Sequence, residues 1–284
     1  MSLLEIKNLS FKYGVGTPFE KTAVNDVSLS IEKGSFIGVI GHTGSGKSTF
    51  VQMLNGLIPP TSGKILLDGK DIWSEPKKIK NVRFRVGMVF QYPEYQLFEE
   101  TVEKDISFGP CNMGLSETEI KMRVVSAAKF VDLKPELLQK SPFELSGGEK
   151  RRAAIAGVIA MDPDILILDE PTAGLDPRGR DVLLSQISAF HKSKGNTVVL
   201  VSHSMEDISR IADKILVMNH GDMFAFDETK KIFSMGSELE RIGLQIPQIT
   251  KIMLELADRG YNLPTDIYTV EQALRAILEL EHSL

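Results

Sequence analysis

A glycine-rich loop between two apolar segments limits the possible folds of this chain more than any other feature. The apolar run FIGVI occupies residues 36–40, and the helix-like pattern TFVQMLNGL occupies residues 49–57. The loop that joins them consists of Gly41, His42, Thr43, Gly44, Ser45, Gly46, Lys47 and Ser48. A strand, then GxxxxGK[ST], then a helix is the arrangement in which backbone N–H groups surround phosphate oxygens. The loop is therefore predicted to bind the phosphates of a nucleotide.

Residues at the end of this loop have separate predicted roles. The positive end of the helix dipole favours an anion there, and Lys47 is placed to reach the terminal phosphates. Ser48 is expected to ligate Mg²⁺, and Thr49 belongs to the same nucleotide-binding group.

An acidic pair follows a second strand that is apolar at every position. The run ILIL at residues 165–168 leads directly into Asp169 and Glu170. A buried strand cannot hold two charges without partners, so both should emerge at its carboxyl edge, where open α/β sheets bind ligands. Asp169 is predicted to hold Mg²⁺ through water, and Glu170 to act as the general base that polarises the attacking water.

Short strand-like runs recur along the chain and indicate its fold class. They include residues 4–9, 27–31, 36–40, 165–168 and 198–201. Runs that are apolar throughout predict a sheet covered on both faces, as in parallel α/β folds. Residues 99–160 approximately have helix-compatible sequence instead, and we predict a helical insert there.

The last part of the chain, residues 231–284, is predicted to form a small helical extension. Two sets of apolar residues are each spaced to share one helical face. They are Ile246, Ile249, Ile252, Met253 and Leu256, and then Val270, Leu274, Ile277 and Leu278. Faces of this kind more often form a packed cap or a dimer contact than a ligand site, and we predict a dimer contact.

The composition excludes several classes of protein. The chain has 284 residues and a net charge of −5, so neither a broad nucleic-acid-binding surface nor a polybasic membrane patch is expected. Cys111 is the only cysteine, which excludes an intrachain disulfide and a thiolate metal cluster. No apolar run approaches the roughly 20 residues that span a bilayer, and the start lacks a signal-peptide pattern. If the chain serves transport, another chain must form the path.

A second glycine-rich helix start lies ahead of the acidic strand. It contains Ser146, Gly147 and Gly148 within LSGGE, directly before the helix-like run KRRAAIA. A helix start of this kind is another anion site, yet one chain needs no second cradle for the same triphosphate. A second chain is therefore implied.

In these motifs the chain resembles the ABC ATPase family over residues 1–230. LSGGE is similar to the family signature LSGGQ, with Glu149 in place of the usual glutamine. The resemblance implies that Ser146, Gly147 and Gly148 close over ATP held by the phosphate loop of a partner. It also implies ATP and Mg²⁺ as cofactors, ATP hydrolysis, and a P-loop NTPase fold of ABC type: a mostly parallel core sheet with an antiparallel β subdomain.

Four further positions match the family one at a time. Gln91, after the strand VGMVF, matches the glutamine that senses Mg²⁺ and the attacking water, and His203 matches the switch histidine that hydrogen-bonds the γ-phosphate. With Glu170 they form the expected catalytic group. Asp176, in AGLDP, resembles the residue that communicates across the dimer. Tyr13, in FKYG, matches the aromatic that stacks on adenine, with simple core packing as the alternative.

The stretch FQYPEYQLFEETVE at residues 90–103 is similar to energy-coupling factor (ECF) transporter ATPases, as are His42 and the run IGLQIPQITKIMLELADRGYNLP. The second of the two ATPase subunit types is the favoured match. The resemblance implies a heterodimer with a sister ATPase, a homodimer being possible, and a transmembrane coupling protein docked near residues 91–100. It further implies an exchangeable substrate-binding membrane protein, a peripheral location at the cytoplasmic face of the cell membrane, and import of vitamins or of cobalt or nickel ions.

Other functions within the same family remain open. One is the ATPase of a conventional ABC transporter, and another is a regulatory or assembly ATPase that takes no part in transport. A DNA-repair or chromosome-organising ATPase would carry a long coiled coil between the phosphate loop and the signature, where no sustained heptads occur. A translation factor of this class usually carries two cassettes in one chain. Co-purification with a solubilised membrane protein would separate a transporter subunit from a regulatory ATPase.

Overall fold

The computed structural model describes residues 2–281, so Met1 and the last three residues of the predicted extension lie outside the described residues. Its strands are β1 (Ser2–Tyr13), β2 (Lys21–Glu32), β3 (Phe36–Ile40), β4 (Ser62–Leu67), β5 (Lys70–Asp71), β6 (Val86–Val89), β7 (Ile165–Asp169), β8 (Thr197–Val201), β9 (Lys214–Asn219) and β10 (Asp222–Glu228). Its α-helices are α1 (Lys47–Leu54), α2 (Ile79–Arg85), α3 (Val102–Asn112), α4 (Glu117–Phe130), α5 (Gly147–Ile159), α6 (Pro177–Lys194), α7 (Met205–Ile211), α8 (Thr229–Ser234), α9 (Gly236–Arg241), α10 (Gln248–Asp258) and α11 (Val270–Glu281).

The larger sheet is mostly parallel, with strand order β10, β9, β3, β8, β7, β6. Strand β3 pairs in parallel with β8 and β9, β7 pairs in parallel with β6 and β8, and β10 runs antiparallel to β9. Every residue of β3, β7 and β8 is buried, as expected for strands covered on both faces. Because parallel neighbours end at the same sheet edge, the segments that follow β3, β6, β7 and β8 meet there.

The smaller sheet is antiparallel, with order β2, β1, β4, β5. Buried and exposed positions alternate toward the end of β2, from Val27 to Glu32, because one face of this sheet packs inward and the other faces water. This sheet is the predicted antiparallel β subdomain. It packs beside helix α1, and so stands next to the glycine-rich loop.

Two hydrophobic layers cover opposite faces of the larger sheet. Leu166 and Leu168 of β7 belong to one layer, which contains residues of helices α3 to α6. Ile165 and Ile167 belong to the other, which contains residues of α1 and of the antiparallel sheet. Full burial of each such side chain contributes about 1.5–3 kcal/mol of transfer free energy. The sheet edge is thereby held rigidly between two packed layers.

Three helices, α3 to α5, separate β6 from β7 in the chain. At the start of α3, the side chain of Thr101 accepts a hydrogen bond from the N–H of Lys104. At the start of α5, Ser146 and Glu149 form a capping box, in which each side chain satisfies the backbone N–H of the other. These local capping signals begin two of the three helices between β6 and β7, which is the region where the sequence has no strand pattern.

The C-terminal helices divide between two hydrophobic clusters. Phe233 of α8 and Leu239 of α9 are buried in the main core beside the larger sheet. Met253 of α10 and Ala273 of α11 belong to a separate small cluster. Within residues 2–281, no helix has the length and apolarity needed to cross a bilayer.

The two predicted apolar faces of the extension differ in how far the structure agrees with them. Ile246 was expected on the face of the first helix, but it lies before α10 and is buried in the main core. The physical reason is Pro247, because a residue that precedes proline is disfavoured in helical conformation. The second predicted face lies on α11 and is exposed in the single chain. Its members are Val270, Leu274, Ile277 and Leu278.

Candidate nucleotide-binding and catalytic site

The glycine-rich loop runs from the end of β3 to the start of α1 and cannot accept larger residues at its two ends. Gly41 has φ 156° and Gly46 has φ 100°. A Cβ atom at Gly41 would lie 2.4 Å from the carbonyl oxygen of Met218, and one at Gly46 would lie 2.1 Å from that of Ala23. Glycine is required at both positions because the backbone of a neighbouring segment occupies the space of a side chain.

Lys47, the first residue of α1, is turned back toward the loop. Its Nζ donates to the carbonyl oxygens of Gly41 at 2.7 Å and His42 at 3.0 Å, and the residue is only 5% exposed. Burial lowers the pKa of Lys47, while the nearby charges of Glu170 and Asp169 oppose that shift. The ammonium group is thus held inside the loop, where phosphate oxygens can replace the two carbonyl contacts.

Asp169 ends β7 beside the start of α1. The Ser48 hydroxyl is hydrogen-bonded to its carboxylate, and its Oδ1 is buried with no hydrogen-bond partner within residues 2–281. Burial raises the pKa of Asp169, an effect that the Ser48 hydrogen bond and the charges of Lys47 and His203 reduce. An unpartnered carboxylate oxygen beside a hydroxyl oxygen is the ligand chemistry that Mg²⁺ prefers. These two residues therefore fit a magnesium ion.

Glu170 follows β7 and is the meeting point of the three predicted catalytic residues. His203 Nε2 lies 2.5 Å from Glu170 Oε1, and the Gln91 amide donates to Glu170 Oε2 at 3.2 Å. Gln91 and His203 come from the segments after β6 and β8, the neighbours of β7 in the sheet. Glu170 has φ 50°, an unusual value for a residue other than glycine, and its N–H donates to the carbonyl of Val201 at 3.0 Å.

One cleft of about 440 Å³ brings most of these groups together. Its lining includes the predicted site residues Tyr13, Thr43, Gly44, Gly46, Lys47, Ser48, Thr49, Gln91, Glu170 and His203. Gly41, His42 and Ser45 belong to the same loop but do not line the cleft. A cleft with a phosphate cradle at one side and a carboxylate at the other can hold a nucleotide and activate water at its terminal phosphate.

Tyr13, at the end of β1, lies at the rim of this cleft. Its hydroxyl is 3.0 Å from Thr49 Oγ1, its ring meets that of Phe11 edge to face at 4.8 Å, and it is 45% exposed. The aromatic ring is therefore available for stacking on a base rather than enclosed in the core.

The His42 side chain does not line the cleft and lies against the end of β9 and the residue that follows it. Its Nε2 lies 3.1 Å from Asn219 Oδ1, its Nδ1 lies 2.9 Å from the carbonyl oxygen of Thr43, and its ring lies against that of His220 at 4.4 Å between centroids. The side chain of His42 thus supports the loop from outside. Its backbone carbonyl, by contrast, contacts Lys47 inside the loop.

The second glycine-rich turn lies elsewhere on the chain. Glu149 Oε2 accepts from the Ser146 N–H at 2.8 Å and from its hydroxyl at 2.6 Å, and these hydrogen bonds lower the pKa of Glu149. Asp176 caps α6 by accepting from the N–H of Gly179 at 2.7 Å. Gly148 and Asp176 line a cleft that shares no lining residue with the one beside Lys47. In the single chain, none of the residues Ser146, Gly147 and Gly148 lines the cleft that contains Lys47.

Comparison with known proteins identifies the family. A family model described as ABC transporter matches residues 24–173, more than half of the chain. The chain belongs to the ABC transporter family. A second model, described as AAA domain, putative AbiEii toxin, Type IV TA system, matches the shorter stretch of residues 138–209.

Relatives within the ABC family match nearly the whole chain. The energy-coupling factor transporter ATP-binding protein EcfA2 of Clostridium perfringens is 53% identical, covering 98% of each chain. The EcfA2 protein of Caldanaerobacter subterraneus subsp. tengcongensis is 54% identical, covering 97% of this chain and 96% of its own. These relatives confirm the predicted resemblance to ECF transporter ATPases.

Solved structures show the same architecture. The structure of cbiO1 from Clostridium perfringens, described as part of the ABC transporter complex cbiONQ, has a TM-score of 0.75 and 36% identity, covering 89% of this chain and 99% of that one. A dimeric post-hydrolysis state of the ATP-binding cassette MJ0796, bound to ADP and Pi, has a TM-score of 0.72 and 25% identity, covering 80% and 98%. The predicted ABC-type P-loop fold is confirmed, and as a member of this ATPase family the chain binds and hydrolyses ATP.

The ABC motifs did not reveal every polar group around the site. Lys21, the first residue of β2, lines the nucleotide cleft, although it belongs to none of the motifs found in the sequence. Arg151 and Glu94 form an ion pair with side chains only 6% and 16% exposed. The only sequence feature that could have drawn attention to this pair is its position next to two motifs. Arg151 follows the second glycine-rich turn, and Glu94 follows Gln91. Opposite charges inside two motif segments indicate a contact only once the fold has brought those segments together.

Proposed function

We propose that this chain is the ATP-hydrolysing subunit of an ECF-type importer that powers micronutrient uptake by closing and opening an ATPase dimer. The observation that carries the proposal is the Glu170 carboxylate, held by His203 and Gln91 in the cleft that contains Lys47. The EcfA2 relatives, which are ATP-binding proteins of energy-coupling factor transporters, support the transport context.

Hydrolysis at this site relies on positioning and electrostatics. Lys47 and the loop N–H groups bind the terminal phosphates, and Tyr13 stacks on the adenine. Glu170 accepts a proton from the attacking water, while Gln91 and His203 hold its carboxylate and contact the γ-phosphate side of the site. Mg²⁺ would be held by Ser48 and Asp169, with Gln91 nearby, and would neutralise charge on the phosphates.

A complete site needs a second ATPase subunit. The turn at Ser146, Gly147 and Gly148 of one chain would face the phosphate loop of the other, and Asp176 would lie at their boundary. The separation of the two clefts within one chain supports this arrangement, because one chain alone cannot surround the triphosphate. A heterodimer with a sister ATPase is favoured and a homodimer is possible. The exposed apolar face of α11 is proposed as a further dimer contact.

A transmembrane coupling protein is proposed to dock near residues 91–100. Phe98 and Phe108 meet edge to face at 5.1 Å, yet they are 59% and 48% exposed, and both line a groove of about 320 Å³. Tyr95, in the same segment, is 84% exposed. Aromatic side chains beside an open groove fit an apolar helix of a partner. The chain would lie peripherally at the cytoplasmic face of the cell membrane, without nucleic acid.

The cargo is proposed to be a vitamin or a cobalt or nickel ion, captured by a separate substrate-binding membrane protein. The cbiO1 structure, part of the complex cbiONQ, supports an assembly of several different chains. ATP-driven closure of the dimer would be passed to the membrane through residues 91–100, and phosphate release would reopen it.

The test is recovery of the assembled complex. The full-length chain is purified from detergent-solubilised native membranes, and the proteins that co-purify with it are identified by mass spectrometry. The complex is then reconstituted, and uptake of vitamins and of cobalt and nickel ions is measured. A second ATPase with two membrane proteins, and uptake that stops in Glu170→Gln, would support the proposal. Recovery together with the membrane protein of a conventional ABC transporter would show that the chain is the ATPase of such a transporter instead. A soluble complex without membrane protein would contradict it in favour of a regulatory or assembly ATPase.

A further inference from the structure

The ion pair between Arg151 and Glu94 joins two segments that flank the catalytic carboxylate. Arg151 Nη2 donates to Glu94 Oε1 at 2.7 Å and its Nε donates to Oε2 at 3.0 Å, a two-point contact. Glu94 lies in the short turn Pro93–Gln96, which begins two residues after Gln91. A guanidinium group that meets both oxygens of a carboxylate fixes orientation as well as distance.

The remaining face of the guanidinium holds the turn after Glu170. Arg151 Nη1 donates to the carbonyl oxygen of Ala173 at 2.8 Å and to that of Pro171 at 3.2 Å. The same turn is closed by the Ala173 N–H, which donates to the carbonyl of Glu170 at 3.1 Å. The backbone that carries Glu170 is therefore held on one side by its own turn and on the other by Arg151.

Burial makes this link stiff. The Arg151 side chain is 6% exposed and that of Glu94 is 16% exposed, so neither charge would be fully hydrated if the other moved away. Burial alone would raise the pKa of Glu94, but the hydrogen bonds and charge of Arg151 lower it, so the carboxylate stays ionised. Movement of the Pro93–Gln96 turn must then carry Arg151, or leave a buried charge without a partner.

Two separate connections thus run from residues 91–96 to Glu170. Gln91 reaches the Glu170 side chain directly, and Glu94 reaches the backbone that follows Glu170 through Arg151. Arg151 also lies in the first turns of α5, the helix that begins with the second glycine-rich turn. A movement of the Pro93–Gln96 turn or of the start of α5 would therefore alter the position of the Glu170 carboxylate through the guanidinium group of Arg151.

We propose that Arg151 is a positioning residue, which sets the place of Glu170 according to the position of the Pro93–Gln96 turn. This inference rests on the proposed function for the partner that would move the turn. For the hydrolysis step itself, it rests only on the contacts among Arg151, Glu94 and the turn after Glu170. Arg151 does not line the cleft that contains Lys47, so its loss should affect turnover more than affinity for ATP.

The main test compares steady-state ATP hydrolysis by the full-length chain, in the assembly in which it is purified, with that of Arg151→Lys and Glu94→Gln. A lysine keeps the charge but cannot reach the carboxylate and both carbonyls together. We expect kcat of Arg151→Lys to fall roughly 10- to 100-fold, as for a slightly misplaced catalytic group, with KM for ATP nearly unchanged. A kcat equal to that of the wild type would overturn the proposal.

A matched control separates positioning from stability. Arg123 also donates to two backbone carbonyls, at 2.9 Å from Met161 and 3.4 Å from Ala160, but it lies on α4 away from the nucleotide cleft. Arg123→Gln should lower the melting temperature without the loss of kcat. If Arg123→Gln and Arg151→Lys lower kcat equally at equal melting temperature, the role of Arg151 is structural only.

A charge reversal tests whether the carbonyl contacts matter. In Glu94→Arg with Arg151→Glu the ion pair can reform, yet a glutamate cannot donate to Pro171 and Ala173. The proposal predicts that kcat is not restored in this double variant, and restoration would overturn it. If the double variant does not fold, Arg151→Lys still decides the matter.

Hydrogen exchange gives a second readout. Mg·ATP added to Glu170→Gln should change the backbone amide protection of residues 94–96, and the added substitution Arg151→Lys should abolish that change at unaltered ATP affinity. If Mg·ATP causes the same change in protection with and without Arg151→Lys, the proposal is overturned. Purification without membrane proteins would contradict the proposed function and leave these comparisons valid, because all of them are made on the ATPase chain.

Discussion

Nε2 of His203 lies 2.5 Å from Oε1 of Glu170, and the two residues follow neighbouring parallel strands. Residue Asp169, at the end of β7, pairs with Val201, at the end of β8, so the next residues of both segments reach the same sheet edge. The Gln91 amide holds the other Glu170 oxygen from the segment after β6. The carboxylate is therefore oriented by three adjacent strand ends before any nucleotide is considered.

Glu170→Gln should bind ATP but hydrolyse it slowly. The amide cannot accept a proton from water, and loss of a general base costs about 10²- to 10⁴-fold in rate. Phosphate release measures turnover and calorimetry measures affinity, with Glu136→Gln, an exposed acidic residue, as the control. Wild-type turnover in the assembled complex would refute the role of Glu170 as base.

Lys47→Ala should weaken nucleotide binding. Charge-assisted hydrogen bonds contribute about 1.5–3 kcal/mol each, so removal of the ammonium should lower affinity roughly 10- to 100-fold. Titration calorimetry with ATP checks this, and Lys33→Ala, on the exposed turn before β3, is the matched control. Equal affinities for the two variants would contradict the prediction.

Gly46→Ala should damage the phosphate loop more than an ordinary glycine substitution. A left-handed backbone alone costs an alanine about 1–2 kcal/mol. At Gly46 the new Cβ would also lie 2.1 Å from the carbonyl oxygen of Ala23, whereas at Gly69, with φ 76°, no atom lies within 4 Å. Urea unfolding should therefore show a larger loss for Gly46→Ala than for Gly69→Ala, and equal losses would show that the contact with Ala23 is irrelevant.

Asp169→Asn should change how stability depends on pH. Burial raises the pKa of Asp169 above its unfolded value, so the native state pays for ionisation. This destabilisation is absent below the unfolded pKa and is complete above the raised native pKa. Without nucleotide, Asp169→Asn should melt at a higher temperature than the wild type at pH 7, and the difference should shrink as the pH falls. A difference that grows toward low pH would be inconsistent with the buried charge.

Phe98→Ala should weaken attachment to the membrane partner. The Phe98 ring lines the groove proposed for docking and packs on Phe108, so its removal takes away an apolar anchor. Phe19→Ala is a matched control, because Phe19 is 87% exposed in the turn between β1 and β2. The amount of membrane protein that co-purifies with each variant is compared, and equal recovery would contradict docking at this groove.

Much of the fold and site could be predicted because the decisive signals are local. The loop from Gly41 to Ser48 requires glycines within a few residues of each other, and the apolar runs before it and before Asp169 carry their own strand pattern. The family resemblance predicted Gln91 and His203 as site residues as well. The prediction that Ile246 belongs to the first helical face of the extension was wrong. Pro247 follows it, and α10 begins only at Gln248.

By itself, the sequence determined the fold class and the family, and it predicted the phosphate loop and the Glu170 carboxylate as site residues, since these depend on residues close together in the chain. Only the tertiary structure decided that Glu170 is held by His203 and Gln91, that Gly148 and Lys47 line different clefts, and that Arg151 joins Glu94 to the backbone after Glu170. Those contacts join segments far apart in the chain. Their geometry depends on strand order and helix packing, which no short run of residues encodes.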